Sequence, residues 1–417
     1  MKKFQSVRGM QDILPPKSKA FRALEDILTS SVNQFGYHEI KTPILEETGL
    51  FIKSIGDGTD IVEKEMYTFV DSKKNSFSMR PEGTAACARA LIENGLHDSI
   101  NRLWYLGPFF RHERPQKGRY RQFNQFGVEL IGIEGYEADL EIINIVNSIW
   151  KILDTSPLLK INTIGDIKDR KKYIEVLVKY FKKYQNDFDE NEKNKIKINP
   201  LRILDSKNDK IFNIIESAPK ISEYISNESK AHFNNLLESL NKENIDFTLD
   251  EKLVRGLDYY NKTVFEYIDN KRNTQNTICA GGRYDLLFEN LCGKKVPALG
   301  FAIGTERLLE YLDHKIYGKK EYHFYMVIIN PSDLQYSLNI ANTIRNLSKK
   351  YIVSISYSYG NLKSQLKKAN KLSADYCVII GSDESDNQNC QIKNMDSGNQ
   401  DTVSINKIHE YLTSIIK

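Results

Sequence analysis

Five cationic side chains lie close together in one short polar segment of this sequence. They are Arg111, Arg114, Lys117, Arg119 and Arg121, and they fall between two predicted strands. Cations this close repel one another unless an anion or a carboxylate lies among them. A solvated basic loop is one interpretation. The other is a phosphate-binding site, which suits arginine because its planar guanidinium can contact two phosphate oxygens at once.

The strand that follows this loop favours the second interpretation. Side chains alternate between the two faces of a strand, so Gln125, Gly127 and Glu129 share one face while apolar residues take the other. A strand of this kind can present an amide and a carboxylate to a cleft. We therefore predict a polar ligand beside phosphate-clamping arginines.

Two further segments carry groups that could bind an amino acid. Glu82 and Thr84 lie in a turn shaped by proline and glycine before a predicted helix, where an acid could receive an α-amino group. The alternative is ordinary helix-start chemistry. In residues 255–260 (RGLDYY), the hydroxyls of Tyr259 and Tyr260 could bond an imidazole or an amino group. The alternative there is a structural strand with two packed tyrosines.

Two glycine-containing segments are less specific. Residues 280–285 (AGGRYD) could let the backbone approach a ligand closely or could simply form a turn. Arg307 falls in the first turn of a predicted helix, where the helix dipole disfavours a cation. Glu306 or a nucleotide phosphate could supply the anion it needs. The sequence contains neither a Walker-type phosphate loop nor a G-x-G-x-x-G motif.

Length and composition limit the class of protein. A chain of 417 residues predicts two or three domains, and 40% hydrophobic with 27% charged residues is ordinary for a globular protein. The net charge of +4 neither requires nor excludes a nucleic-acid partner. No apolar run approaches the roughly 20 residues of a membrane helix, and no signal peptide follows the N-terminal lysines. We expect a soluble, cytoplasmic protein.

The cysteines predict neither a zinc site nor a disulfide framework, because their spacing forms no paired motif. We expect reduced, mostly buried thiols at Cys87, Cys279, Cys292, Cys377 and Cys390.

The elements that position these groups follow from periodicity. Apolar residues at helical spacing predict a helix over residues 21–35, and residues 38–45 predict an edge or interface strand interrupted by Pro43. Residues 253–260 and 263–267 have strand patterns. Beyond a polar hinge at 313–321, strands predicted at 324–329, 352–356 and 375–380 alternate with helices at 334–347 and 362–372. That alternation is typical of a small α/β domain with a mostly parallel sheet.

Together these segments resemble the histidyl-tRNA synthetases of class II over essentially the whole chain. The helix and strand around Pro43 resemble motif 1, residues 109–132 motif 2 and residues 300–309 motif 3. RGLDYY and AGGRYD resemble the histidine-specific signatures. The resemblance implies an α/β chain with three parts. These are a catalytic core at residues 1–165 and 245–318, with a six-or-so-stranded antiparallel sheet flanked by helices, a helical insertion at 166–244, and an α/β anticodon-binding domain at 322–417.

The resemblance also implies roles for individual residues. The catalytic residues would be Arg111 and Arg255. The histidine site would comprise Glu82, Gly83, Thr84, Arg111, Gln125, Glu129, Arg255, Tyr259 and Tyr260, and the ATP site Arg111, Glu113, Arg119 and Arg307. ATP would act as substrate with Mg²⁺, without a tightly bound protein-ligated metal. Histidine tRNA and a second copy of the chain would be the partners, and no membrane would be involved.

Three other interpretations remain open at this point. A regulatory subunit of ATP phosphoribosyltransferase would bind histidine without ligase activity, but such chains have eroded ATP-site arginines and no anticodon-binding domain. Arg111, Arg255 and Arg307 are all present here. Another class II synthetase, for proline or threonine, is disfavoured by RGLDYY and AGGRYD. A protein that only binds tRNA would not need the pocket of Glu129 and Tyr260.

Overall fold

A computed structural model of the chain describes residues 4–116, 118–204, 206, 208–270, 277–312 and 321–416. Lys117 of the cationic segment and most of the predicted hinge, residues 313–320, lie outside the described residues. The chain divides into two units, Met1–Ile316 and Tyr317–Lys417.

The N-terminal unit combines eleven strands with ten α-helices in its described part. The strands are β1 (His38–Glu39), β2 (Leu45–Glu47), β3 (Thr68–Val70), β4 (Ser76–Met79), β5 (Asn101–Phe110), β6 (Gln122–Ile131), β7 (Leu158–Thr163), β8 (Phe247–Leu249), β9 (Asn261–Ile268), β10 (Thr277–Arg283) and β11 (Ala298–Gly304). The helices are α1 (Lys17–Asn33), α2 (Thr48–Ile55), α3 (Thr84–Glu93), α4 (Tyr136–Ile152), α5 (Ile167–Phe181), α6 (Glu190–Ile198), α7 (Phe212–Glu216), α8 (Asn227–Lys242), α9 (Leu286–Cys292) and α10 (Thr305–Tyr311).

Eight of these strands form one sheet in the order β1-β5-β6-β11-β10-β9-β7-β8. The neighbours from β5 to β7 are antiparallel, and only the short edge strands β1 and β8 pair in parallel. The expected antiparallel sheet of about six strands is therefore confirmed, with two edge strands added. β2, β4 and β3 form a separate small sheet.

Helices α1 and α4 cover one face of the large sheet. In α1, Leu24, Leu28 and Val32 recur at helical spacing and are fully buried against the sheet. Ile142 and Ile149 of α4 are equally buried. The periodicity that predicted the first helix is confirmed, because an apolar stripe of this width must face a core.

Of two predicted strands, one is shorter than expected and one is wrong. Residues 38–45 contain the edge strand β1 (His38–Glu39) and the first residue of β2, and Pro43 lies in the connection between them, because proline offers no N–H to a ladder. Residues 253–260 form an irregular loop before β9. Its apolar residues pack into a core without strand pairing, and periodicity alone does not separate these cases.

The predicted insertion begins where α5 begins. Asp166 and Asp169 form a capping box at the start of this helix. Asp169 also accepts hydrogen bonds from the Ser226 N–H and the Ser229 hydroxyl at the start of α8, at 2.9 and 2.6 Å. The two long helices of this segment are therefore joined at their N-termini.

The C-terminal unit is an α/β fold. Its strands are β12 (Tyr322–Ile328), β13 (Tyr351–Ile355), β14 (Tyr376–Ile380), β15 (Asn389–Asn394) and β16 (Gln400–Ser404), and its helices are α11 (Leu334–Leu347), α12 (Leu362–Lys371), α13 (Ser382–Asp386) and α14 (Ile408–Ile415). β13, β12 and β14 are parallel as predicted, whereas β15 and β16 continue the sheet antiparallel and were not predicted. Across the described residues of the whole chain, no helix has both the length and the apolar character needed to cross a membrane.

Candidate active site

A cavity of about 700 Å³ opens over the large sheet of the N-terminal unit. Its wall brings together most of the residues predicted for the two ligand sites, from segments far apart in sequence: Glu82, Thr84, Arg111, Glu113, Arg119, Gln125, Arg255, Tyr259, Tyr260 and Arg307. Gly83 lies in the turn before α3, and Glu129 lies buried behind the wall.

One end of the cavity is cationic. The Arg111 Nε donates to the carbonyl of Pro81 at 2.9 Å, and its guanidinium lies over the ring of Phe123, with 5.4 Å to the ring centre. Arg119 pairs with Glu113 at 3.1 Å. Phe123 and Pro81 thus fix the guanidinium of Arg111, which leaves its outer nitrogens available to a ligand.

Arg307 completes this end from the first turn of α10. Its Nη1 donates to the carbonyl of Thr277 at 2.7 Å. Burial lowers the pKa of Arg307, and the nearby charges of Arg119 and Arg111 lower it further. Three guanidinium groups in one part of the cavity create a positive potential, which a polyphosphate would relieve.

Glu306, the possible counter-ion of Arg307, instead anchors α10 to the sheet. Its carboxylate accepts from the backbone N–H of Asn124 at 2.9 Å and from the Asn124 side-chain amide at 3.0 Å. These bonds join the start of α10 to β6, and so fix where Arg307 projects into the cavity.

The other end of the cavity carries buried carboxylates. Glu82 is 3% exposed, and it accepts from the backbone N–H groups of Thr84 and Ala85 at 2.7 and 2.9 Å. Burial raises the pKa of Glu82, although these two bonds oppose the rise. The side-chain oxygen of Gln125 is also buried nearby without a hydrogen-bond partner among the described residues. This group of acceptors suits an ammonium ligand.

Glu129 on β6 is held by hydroxyl groups. The Thr84 hydroxyl donates to one carboxylate oxygen at 2.7 Å, and the Tyr284 hydroxyl donates to the other. Burial raises the pKa of Glu129 to about 8, because these donors only partly replace water. A Cβ on Gly300 of the adjacent strand would overlap the Glu129 carboxylate, so glycine is required there.

Three tyrosine rings enclose this end. The ring centres of Tyr259 and Tyr260 are 4.8 Å apart, and the Tyr259 and Tyr284 rings meet edge to face at 5.5 Å. Burial raises the pKa of all three phenols, so they remain hydroxyl groups that can donate a hydrogen bond.

Arg255 lies in the loop between the two ends of the cavity. Its Nη1 lies 3.3 Å from the Glu266 carboxylate, which also accepts from the Thr277 hydroxyl at 2.9 Å. The Nε of Arg255 is buried without a partner among the described residues, which leaves a donor available to a ligand.

Sequence reasoning missed the roles of Tyr284, Glu266 and Thr277 in building this site. Tyr284 belongs to the AGGRYD segment, which was noted only for its glycines, and its spacing from Glu129 in sequence gives no signal of their contact. Of the five cations in the motif 2 loop, Arg111 and Arg119 line the cavity, whereas Arg114 and Arg121 are not part of its wall.

Comparison with known proteins agrees with this architecture. The histidyl-tRNA synthetase family profile matches residues 9–164 and 185–308, and the anticodon binding domain profile matches residues 325–415. The histidine–tRNA ligases of Legionella pneumophila strains Lens and Paris are each 43% identical to this chain, over 98% and 99% of its length and the same shares of theirs. The crystal structure of apo S. aureus histidyl-tRNA synthetase superposes with a TM-score of 0.81 at 34% identity, covering 98% of this chain and 99% of that one.

The antiparallel sheet, its arginine-lined cavity and the separate anticodon-binding fold define a class II aminoacyl-tRNA synthetase. Within that class, the chain belongs to the histidyl-tRNA synthetase family. It is accordingly a ligase that activates histidine with ATP and charges tRNA with it.

Proposed function

We propose that this arginine-lined cavity of the N-terminal unit holds histidine and ATP side by side, where they are joined as histidyl-adenylate, and that histidine then passes to the 3′ end of histidine tRNA. One observation carries this proposal: the cavity is cationic at one end and lined by buried carboxylates and tyrosines at the other. A polyphosphate matches the first end, and an amino acid with a polar ring matches the second.

The carboxylate end would bind histidine. Glu82, Thr84 and Gln125 would receive the α-amino group, and the turn at Gly83 would allow its close approach. An ionised carboxylate has about four acceptor sites, so the two backbone bonds to Glu82 leave capacity for an ammonium group.

The imidazole of the substrate would lie between Glu129 and Tyr260, with the Tyr259 ring forming the side of the pocket. Such a pocket rejects side chains that cannot hydrogen-bond, because they would leave buried polar groups unpaired.

The arginines would carry the chemical step. A carboxylate oxygen of histidine attacks the α-phosphorus of ATP, and the bond to pyrophosphate breaks. Arg111 and Arg255 would stabilise the charge that develops on the α-phosphate, while Glu113, Arg119 and Arg307 would hold the nucleotide. A reaction of this type needs positioning and fixed positive charge more than a covalent nucleophile. A ribose hydroxyl of the tRNA then attacks the carbonyl carbon and AMP leaves.

Mg²⁺ would enter as part of the ATP substrate and offset phosphate charge. Glu113 fits a place beside it, since its carboxylate lies at the cavity wall and carboxylate oxygens are ligands that Mg²⁺ prefers. The described residues contain no group of three or more metal-ligating side chains.

The domain boundaries, the cellular location and the homodimer are also proposals. Residues 1–165 and 245–318 would form the catalytic core, 166–244 the insertion and 322–417 the anticodon-binding domain of a cytoplasmic enzyme. The small sheet of β2, β4 and β3 supports a homodimer, because it exposes about half or more of the apolar side chains of Leu45, Phe69 and Val70. Sedimentation velocity would show one species of twice the chain mass if this proposal is correct.

ATP–pyrophosphate exchange with each of the twenty amino acids, without tRNA, tests the proposed site. We expect exchange with histidine alone, a loss of at least about a hundredfold in Arg255→Ala, and near-normal rates in Arg114→Ala, an exposed arginine outside the cavity wall. Tight histidine binding without exchange for any amino acid would instead indicate a histidine-sensing protein.

A further inference from the structure

The loop that carries Arg255, Tyr259 and Tyr260 has little regular structure of its own. It runs through residues 250–260 between β8 and β9, and its backbone makes few hydrogen bonds to neighbouring strands. A loop of this kind holds a binding geometry only if other parts of the protein fix it.

The core supplies some contacts, such as the bond from the Asp258 N–H to the Ile55 carbonyl at 3.1 Å, and side chains of the segment from α5 to α8 supply the rest of those at Asp258 and Tyr260 described here. Arg170 of α5 donates from Nη1 to the backbone carbonyls of Asp258 and Tyr260, at 3.1 and 2.6 Å. Arg202 donates from Nη2 to both carboxylate oxygens of Asp258, at 3.0 and 2.9 Å. Asn199 adds a bond to the same carboxylate at 2.9 Å.

The insertion therefore contacts the loop of residues 250–260 at the Asp258 carboxylate. The carboxylate also supports the Arg170 guanidinium, whose bonded acceptors are neutral carbonyls and whose pKa is lowered by burial. Arg202 further donates to the carbonyl of Gly58, and a Cβ on Gly56 would lie 2.5 Å from the Asp258 carboxylate. The segments that carry Gly56, Arg202 and Asp258 therefore approach one another closely at this point.

We propose that Arg202 and Arg170 of the insertion are positioning residues for the histidine site. They touch neither substrate nor reacting atoms. They hold Asp258, and through it they set the positions of Arg255 on one side and of Tyr259 and Tyr260 on the other. The inference rests on the proposed function of that loop and adds that full histidine affinity requires the insertion to be docked on it.

The coupling must act in both directions. If docking of the insertion orders the loop for histidine, then histidine binding must stabilise docking of the insertion by the same free energy. Hydrogen exchange of the backbone in residues 195–203 should therefore slow when histidine is added, although this segment does not line the histidine end of the cavity.

The test measures histidine and ATP dependence of pyrophosphate exchange in the full chain with Arg202→Ala. We expect KM for histidine to rise about tenfold with KM for ATP changed less than about twofold, as for the loss of one charge-assisted contact. Arg202→Lys should give an intermediate value, because lysine keeps the charge without the two-pronged geometry. Lys220→Ala is the matched control, since it breaks another ion pair between the insertion and the same loop, at Glu251, which precedes the 255–260 segment.

Each outcome separates this inference from the proposed function. No histidine-dependent exchange in the unmodified chain would refute the function itself. If the unmodified chain is active, three results with a folded Arg202→Ala variant would overturn the positioning role. They are an unchanged KM for histidine, an equal rise in both KM values, or the same behaviour as Lys220→Ala. If Arg202→Ala does not fold, Asn199→Ala removes a bond from a neutral amide to the Asp258 carboxylate, together with the bond that Asn199 accepts from the Leu201 N–H. It should still raise KM for histidine about threefold, and an unchanged value would overturn the inference.

Discussion

We expect Glu129→Gln to remove histidine activation. We also expect the stability of the variant's N-terminal unit, relative to that of the unmodified chain, to increase as pH rises. Burial raises the pKa of Glu129 from 4.5 to about 8. Between these two values the folded chain holds a proton that the unfolded chain has released. Stability of the unmodified protein therefore falls as pH rises through this window, and a neutral glutamine does not contribute to that fall.

The magnitude follows from the two pKa values. Each pH unit spent fully inside the window costs the unmodified chain about 1.4 kcal/mol, so the cost grows by about 3 kcal/mol between pH 5.5 and pH 8.5. Glutamine has one acceptor oxygen, so one of the hydroxyl groups of Thr84 and Tyr284 must reorient to accept from its amide, which changes stability by an amount that does not depend on the titration. Only the pH-dependent part reports the titration of Glu129.

Thermal unfolding at pH 5.5, 7.0 and 8.5 measures this part. The difference in Tm, variant minus unmodified chain, should increase by roughly 3–6 °C from the lowest to the highest pH, at about 1–2 °C per kcal/mol for a unit of this size. Glu190→Gln, which removes an exposed carboxylate on α6, controls for the change in net charge. A Tm difference that stays constant across the three pH values would refute the buried, proton-holding state of Glu129.

Three other substitutions test the same architecture. Gly300→Ala places a methyl group against the Val128 carbonyl of β6 and the Glu129 carboxylate, and should lower kcat/KM for histidine at least about tenfold, measured by pyrophosphate exchange at saturating ATP. Thr84→Val keeps the shape but removes a hydroxyl donor, which should raise the pKa of Glu129 further and increase KM for histidine about five- to tenfold; an unchanged pH profile of KM would contradict this. Asp139→Ala removes the nearer of the two carboxylate partners of the fully buried Arg283 guanidinium, which leaves only Asp285 at 3.4 Å, and should lower the free energy of unfolding by about 3 kcal/mol, measured by urea denaturation.

The fold was predictable wherever an element has a periodic apolar face. Helix α11 has the predicted bounds, and α12 ends one residue before its predicted end. Both bounds were predictable because the periodic apolar pattern of an amphipathic helix extends over the length of the helix. The strands β15 and β16 were not predicted. Val403 is the only buried residue of β16, so that strand has little alternating pattern to detect.

The site was predictable by residue type but not by contact. Arginines, carboxylates and tyrosines in motif-like segments indicated the ligand classes, and the cavity wall brings most of them together. The contacts that hold the site residues in place were not predicted. Tyr284 and Asp258 lie far along the chain from Glu129 and Arg202, and long-range pairing of this kind leaves no local trace in one sequence.

In the proposed histidine site, hydroxyl groups rather than arginine lie beside Glu129, and this arrangement would explain how the pocket selects its ligand. A guanidinium there would hold the pKa of the carboxyl low and occupy its acceptor sites permanently. Hydroxyl donors from Thr84 and Tyr284 offset burial only in part, so the Glu129 carboxyl group keeps capacity for a further hydrogen-bond partner. An imidazole can share a proton with this group, whereas a hydrocarbon side chain would leave it buried and unsatisfied. If the proposed histidine site is correct, the burial that destabilises the folded chain at high pH is also the feature that would make a side chain without a ring nitrogen a poor substrate.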